Sequence, residues 1–305
     1  MSNSTQIIEL DVLTVGHACH DLIYVLDHHP GEDEKYFAEG YVQCGGGPAA
    51  NAAVAASRLG FTVGFCGYLG DDVFGELHQQ EFVEDKVRTD WIVRGVYPTA
   101  ISSILVKPDG TRTVINSSGG RKFMQPDQID LSNCLPKVIL MDGHEPDISS
   151  ILLEFAEEYN ISTVLDAGSL HPGTEFLWDK VNYLVASRRF AEQSTGQIDP
   201  QTSLEKLSQH VPVVVITLGG EGLVWHHDGE AGNLGAFSVE TTDGTGAGDA
   251  FHGAFAAGLT ARMEWHDLLR FASAAAALTC TKLGARAAIP NKKELQTFLK
   301  LHQSL

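Results

Sequence analysis

Three glycines in five residues, Gly244, Gly246 and Gly248, run directly into Asp249 and then into an apolar stripe formed by Ala250, Phe251, Ala254, Phe255, Gly258 and Leu259. Spacings of three and four residues place that stripe on one face of a helix. The glycine turn therefore opens a helix, where unpaired N–H groups and the helix dipole attract anions. An acid in the first turn sets a base beside the anion cradle, a pairing suited to moving a phosphoryl group onto an alcohol. The competing reading is a flexible helix start capped by Thr245 or Asp249. Two other kinds of glycine loop do not fit. A Walker-type loop needs Gly-Lys followed by Ser or Thr, and the chain contains no Gly-Lys pair. A dinucleotide fingerprint needs G-x-G-x-x-G after an early strand, whereas this turn reads G-x-G-x-G-D and falls late in the chain.

The 305 residues suffice for one large α/β domain or two small ones, with a sizeable core in either case. A net charge of −18 opposes nucleic-acid and anionic-membrane partners, whose phosphates attract basic surfaces. It does not oppose a nucleotide, which needs only the local field of N–H groups and a metal ion. The cysteines Cys19, Cys44, Cys66, Cys134 and Cys280 form no C-x-x-C pair, so buried free thiols in a reducing compartment are expected. The opening residues lack the basic end and apolar run of a signal peptide. No apolar run approaches the roughly 20 residues that span a membrane, and the expected location is the cytoplasm.

Short apolar runs alternate with helical segments. Strands are predicted at Val12–Gly16, Val63–Cys66, Val138–Met141, Thr163–Asp166, Val181–Val185 and Val213–Thr217. Helices are predicted over Pro48–Leu59, with Pro48 in the first turn and Gly60 as the stop, around Phe74–Glu84, and over Ile148–Tyr159. Buried runs separated by helices imply an α/β fold, a parallel sheet covered on both faces. Functional groups in such a sheet gather at the carboxyl ends of the strands, where Asp142, Asp166 and Thr217 fall. Residues 21–45 and about 97–116 break the rhythm with alternating or turn-rich segments. Pro108-Asp109-Gly110 has the chemistry of a hairpin turn, and both stretches read as parts of a small β lid.

Two segments together carry a family resemblance. One is Gly45-Gly46-Gly47-Pro48-Ala49-Ala50-Asn51 through Arg58-Leu59-Gly60; the other is the turn from Asp243 to Asp249. With Gly70-Asp71-Asp72, Thr217-Leu218-Gly219-Gly220-Glu221-Gly222 and Gly284-Ala285-Arg286 through Pro290, the chain resembles the ribokinase-like, PfkB-type carbohydrate kinases over nearly its whole length. The resemblance implies a three-layer α/β/α sandwich with a mainly parallel central sheet and a β-sheet lid, all within one kinase domain spanning residues 1–305. It implies transfer of the γ-phosphoryl of ATP, delivered with Mg²⁺, to a sugar hydroxyl. Asp249 would be the base, and Gly246, Ala247 and Gly248 would supply N–H groups to the transferring phosphoryl. Asp21, Gly46, Gly47 and Asn51 would contact the sugar. Thr217, Gly219, Gly222, Thr245 and Ser273 would contact ATP. Potassium activation belongs to the family through backbone around Asp243 and the Gly284 loop.

The chain also departs from the pattern. Many family members carry Asn-x-x-Glu after a central strand to organise magnesium; here Ser187 and Phe190 stand in those places, so no metal ligand is assigned. Arg188 and Arg189 read as a solvated pair. The glycine segments look most like the branch that contains sulfofructose kinases, with ketohexokinases more distant. Lys35 and Asn116 match positions that face the sugar's charged end in that branch. Where a sulfonate-gripping Arg is expected, however, His144 occurs. A neutral imidazole is a weak substitute for a guanidinium fork, which favours a neutral or weakly charged ketose. His17 and His20 read as structural or substrate-adjacent rather than as a zinc pair, and His28-His29 and His226-His227 as surface turns. Two alternatives stay open. A nucleoside kinase would use Tyr36, Phe37, Tyr41 and Ile101 as an aromatic slot, and a catalytically silent sugar-binding regulator would keep only the fold. The exposed edges of the lid make a lid-to-lid homodimer the expected assembly.

Overall fold

β-branched and apolar runs at near-regular intervals build a large sheet, and the computed structural model describes residues 7–302 apart from Asp109. The strands, in chain order, are β1 (Ile8–Gly16), β2 (Cys19–Val25), β3 (Gly40–Gly46), β4 (Val63–Gly70), β5 (Arg88–Gly95), β6 (Ala100–Val106), β7 (Arg112–Ser117), β8 (Cys134–Met141), β9 (Ser162–Ala167), β10 (Tyr183–Ser187), β11 (Val213–Thr217), β12 (Leu223–His227) and β13 (Glu230–Leu234). The helices are α1 (Pro48–Arg58), α2 (Val73–Glu84), α3 (Pro146–Tyr159), α4 (Pro172–Leu177), α5 (Arg188–Thr195), α6 (Pro200–Leu207), α7 (Ala247–Thr260), α8 (Trp265–Thr279), α9 (Ala285–Ala288) and α10 (Lys292–Leu301).

Nine strands form the main sheet in the order β13-β12-β11-β10-β9-β8-β1-β4-β5. Every pair from β11 to β5 is parallel, and only the β11–β12 and β12–β13 pairs are antiparallel. Alternation along the strands divides the core in two. Val138 and Leu140 of β8 pack with α1, α7 and α8 on one face, while Ile139 and Met141 pack with α3 to α6 on the other. This is the three-layer sandwich expected from the sequence.

The terminal hairpin was not legible in advance. Asp228 and Gly229, both with positive φ, form the tight turn between β12 and β13. His226 and His227 therefore lie in a strand, not in a surface turn, and the His227 ring stacks on Trp265 at 4.2 Å.

The small sheet runs β3-β2-β6-β7 and uses the two segments that broke the sequence rhythm. Its β6 and β7 pair antiparallel, as the turn around Pro108 and Gly110 requires, although Asp109 lies outside the described residues. Only two residues separate β1 from β2, so the end of a central strand leads straight into the lid. Ile23, Cys44, Ile104 and Val106 form the lid's own small core.

Helices α1 and α7 lie against each other so closely that a Cβ on Gly253 would stand 2.3 Å from the Ala52 carbonyl oxygen. Alanine and glycine along both helices allow that approach. It brings Asn51 of α1 to Asp249 of α7, and this contact is the structural root of the site.

Candidate active site

The first turn of α7 is shaped by its glycines. Gly246 is the N-cap residue, with φ +78° and no side-chain cap, so neither Thr245 nor Asp249 caps the helix. A Cβ on Gly246 would sit 2.5 Å from the Ala285 Cβ; the left-handed backbone and the crowding both demand glycine. Thr245 instead turns its backbone N–H and its hydroxyl toward Asp243 Oδ1, at 2.9 and 2.6 Å. Asp243 Oδ2 accepts from the Gly284 N–H at 2.9 Å. Asp243, 1% exposed, thus ties the glycine turn to the loop that precedes α9. With no side-chain cap, the residues that open α7, Ala247 and Gly248, line the cleft, the place where helix starts bind anions.

Asp249 accepts a hydrogen bond from Asn51 Nδ2 at 2.8 Å. Burial, then the negative charge of Asp166, push its carboxyl up to about 7. A carboxylate with that proton affinity is poised to take a proton near neutral pH. Asp166, at the end of β9, is itself raised by burial, and its Oδ2 lies 3.3 Å from His252 Nδ1.

On the lid side, Asp21 is buried in β2 and its Oδ1 accepts from the Cys19 thiol at 3.2 Å, which in turn accepts from the Ser102 hydroxyl at 3.3 Å. A Cβ on Gly46 would strike the Asp21 carboxylate, so glycine there leaves Asp21 open to a ligand. Gly47 has φ +98°, and a Cβ on it would meet the His17 carbonyl oxygen at 2.4 Å. Asn51 is held by Arg286, whose Nη2 reaches Asn51 Oδ1 at 3.4 Å and His78 Nε2 at 2.9 Å. Arg286 Nη1 pairs with Glu81 at 2.9 Å, and the Glu81 carboxylate accepts the Gly45 N–H. Glu81 and His78 were not singled out from the sequence, and Arg286 entered only as part of the segment from Gly284 to Pro290. The signal was present in Gly45, where any Cβ would collide with the Arg286 guanidinium.

His144 corrects one premise. Burial opposes its charge, but Asp142 outweighs that and pushes the imidazole up to about 9, with Nδ1 3.3 Å from the carboxylate. At neutral pH His144 is a cation, not the neutral ring expected from the sequence. Burial, then the His144 charge, push the stacked His17 down to about 4. Asp142 also accepts the N–H groups of His17, Ala49 and His144 and stays well below the usual carboxylate range. His17 and His20 go to different places: the His20 ring stacks on Phe74 at 4.6 Å. Lys35 lies in the exposed loop between β2 and β3, with its ammonium 5.7 Å from the centre of the Phe37 ring. Asn116 sits on exposed β7, in register with Ser102. Among the described residues, no hydrogen bond or ion pair joins either to the Asp249 cluster.

Beyond the glycine turn, a cleft of about 520 Å³ is lined by Thr217, Gly219, Gly222, Gly248 and Ser273, with Phe237 and Phe251 among its apolar walls. A Cβ on Gly219, Gly220 or Gly248 would meet nothing within 4 Å, so the backbone there is open to a ligand. Ser187 caps α5, accepting the Phe190 N–H at 3.0 Å and donating to the Gly168 carbonyl at 2.8 Å. Phe190 is fully buried. The Asn-x-x-Glu positions have thus become a cap and a core residue. Among the described residues, no group of three His, Cys, Asp or Glu side chains could hold a metal ion. Arg188 pairs with Glu221 at 2.7 Å on the exposed surface. Among the described residues, no helix is long and apolar enough to cross a membrane.

A glycine-started helix carrying a poised acid, between an open cleft and a lid, defines a small-molecule phosphotransferase that uses an alcohol acceptor. The chain belongs to the pfkB family of carbohydrate kinases, whose model matches residues 9–292. It is 28% identical over 294 residues to a ribokinase of Lactococcus lactis, covering 95% of this chain and 97% of that protein. It is 29% identical over 285 residues to a fructokinase of Solanum tuberosum, covering 86% and 88%. Among solved structures, Arabidopsis thaliana ribokinase complexed with ribose and ATP superposes with a TM-score of 0.82 at 25% identity, covering 96% of this chain and 99% of that one. Thermotoga maritima ribokinase gives 0.84 at 26%, covering 95% and 99%.

Proposed function

We propose that this protein transfers the γ-phosphoryl group of ATP to a hydroxymethyl hydroxyl of a ketose or related monosaccharide, with Asp249 as the base. The observation that carries this reading is the place of Asp249. It stands at the open start of α7, with the glycine-lined cleft on one side and Asn51 and the lid on the other. A similar structure binds ribose and ATP, which supports the same two ligands here.

In this reading the apolar walls of the 520 Å³ cleft hold the base and sugar of the nucleotide, with Thr217, Gly219, Gly222 and Ser273 against it. The phosphates point toward Ala247 and Gly248. Asp21, Gly46, Gly47 and Asn51 orient the sugar so that its hydroxyl meets Asp249, which accepts the proton as the oxygen attacks phosphorus. The N–H groups at the start of α7 stabilise charge on the equatorial oxygens. Magnesium, arriving on the triphosphate, neutralises phosphate charge. The Ser187 and Phe190 positions do not fit a protein metal shell, so no step is routed through one. The Asp243 carboxylate, engaged by Thr245 and Gly284, orders its loop through this chain's own groups, and no step is assigned to potassium.

The nucleoside alternative is disfavoured, because Phe37 is 80% exposed and the Tyr36 hydroxyl binds Asp27, so these rings enclose no slot. With His144 charged, the case against an anionic ketose falls. Lys35 and Asn116 would enter the site only through closure of the lid. Phe37, Tyr41, Val114 and Ile115, exposed on the lid, suit a lid-to-lid homodimer; a monomer in solution scattering would contradict that assembly. The test of function is ATP consumption with fructose, tagatose, ribose, fructose 6-phosphate, sulfofructose and adenosine. A ketose should give the highest kcat/KM, and turnover with adenosine alone would overturn the reading.

A further inference from the structure

One turn after Asp249 on α7, His252 is 3% exposed and both of its ring nitrogens face acceptors. Nδ1 lies 2.6 Å from the Gly248 carbonyl oxygen and 3.3 Å from Asp166 Oδ2. Nε2 lies 3.0 Å from the Val185 carbonyl oxygen in β10. A peptide carbonyl has no proton to give, so each nitrogen must donate. A neutral imidazole carries one N–H; only the imidazolium carries two. With one proton missing, a nitrogen lone pair would oppose a buried carbonyl oxygen, leaving both without a partner. Asp166 supplies the counter-charge.

We propose that His252 is a doubly protonated imidazolium that, paired with Asp166, fastens the first turn of α7 to β10 and sets how readily Asp249 takes up a proton. It is a positioning residue that acts through Asp249, and the inference rests on Asp249 being the base. The groups that face Asp249 are Asn51 from α1, Asp21 from β2, Asp166 from β9 and His252 from its own helix. Those facing Asp166 are His252 and, from the β8 end, Asp142 and His144. Within this set the two members of the pair act on Asp249 in opposite senses. The His252 cation favours the carboxylate, whereas the Asp166 charge favours the protonated acid.

The experiment is the pH dependence of kcat/KM, with the preferred sugar, for the wild type, His252→Gln and Asp166→Asn. The acid limb, where Asp249 becomes protonated, should move up by about one unit in His252→Gln and down by a similar amount in Asp166→Asn. A merely structural pair would lower activity without separating the limbs, and limbs that stay together or move the same way overturn the proposal. Nitrogen-15 spectra of the wild-type histidines at pH 7.5 do not depend on the variants folding. They should show one imidazole with both nitrogens protonated that disappears in His252→Gln, or, if that variant does not fold, in His252→Asn. A wild type with only singly protonated histidine rings other than His144 overturns the proposal even if the kinase reading stands. Wild-type turnover in Asp249→Asn would instead sink the base assignment while leaving the ring's charge to the spectra.

Discussion

The two sides of Asp249 are built from different materials. Toward the lid and the sheet, the site is a network of ionisable groups: Asp21, Asp142, Asp166, His144, His252, Arg286 and Glu81, most of them buried. Toward the glycine-lined cleft, the lining is uncharged, made of glycine, alanine, serine, threonine, cysteine and apolar side chains, with space where the Cβ atoms of Gly219, Gly220 and Gly248 would be. The difference is physical. A sugar hydroxyl must be oriented and deprotonated, which requires fixed charges and hydrogen bonds held before the substrate arrives. A triphosphate brings its own charge and needs backbone N–H groups and room. Substitutions on the charged side should therefore change catalysis, proton affinity and stability together, and those on the cleft side mainly nucleotide affinity.

The largest expected effect is Asp249→Asn, with kcat lower by about 10²–10⁴-fold, the usual range for loss of a general base. The same change should raise Tm at pH 8. The folded protein holds the Asp249 carboxyl at about 7, above its ordinary value of 3.8, so the neutral form is the one the fold favours. That contribution is fully present below pH 3.8 and is lost as pH rises through 7. The Tm gain of the Asn variant should thus disappear near pH 4, and differential scanning at the two pH values checks it.

Next is Gly246→Ala, which forces a side chain against Ala285 in a left-handed turn. Displacing the turn by about 1 Å should lower kcat by about 10²-fold; unchanged kinetics would show that the turn does not need its geometry. Arg286→Met removes the guanidinium shared by Glu81, His78 and Asn51. It should destabilise by about 3 kcal/mol in urea unfolding, the scale of a broken buried ion pair, and raise the sugar KM more than the ATP KM. The smallest is Ser273→Ala, with a rise in ATP KM of about tenfold or less, the worth of one hydrogen bond, and an unchanged sugar KM. An equal rise in both would erase the distinction between the sides.

The cleft side was the more legible in sequence. Glycine turns and small residues act through local backbone geometry, so Gly246 is marked by the spacing of its turn and Gly219 and Gly222 by the family resemblance of their segment. The parallel sheet was legible for the same reason, since its buried runs are contiguous. The charged side depends on tertiary contacts that spacing does not carry. Arg286 meets Glu81 across 205 residues, and His252 meets Val185 across 67. The charge of His144 depends on Asp142, only two residues away, yet it follows from burial and ring orientation rather than from the sequence pattern. The β12–β13 hairpin was missed although Asp228-Gly229 is a strong turn pair, because the histidines before it read as polar surface.

The most direct test of the account is ATP consumption by the wild type and Asp249→Asn, each with and without the preferred ketose. Consumption by the wild type should depend on the ketose and yield one phosphorylated sugar per ATP, while the variant, folded and still binding the ketose, should show neither. Ketose-dependent turnover that survives in Asp249→Asn at the wild-type rate would contradict it.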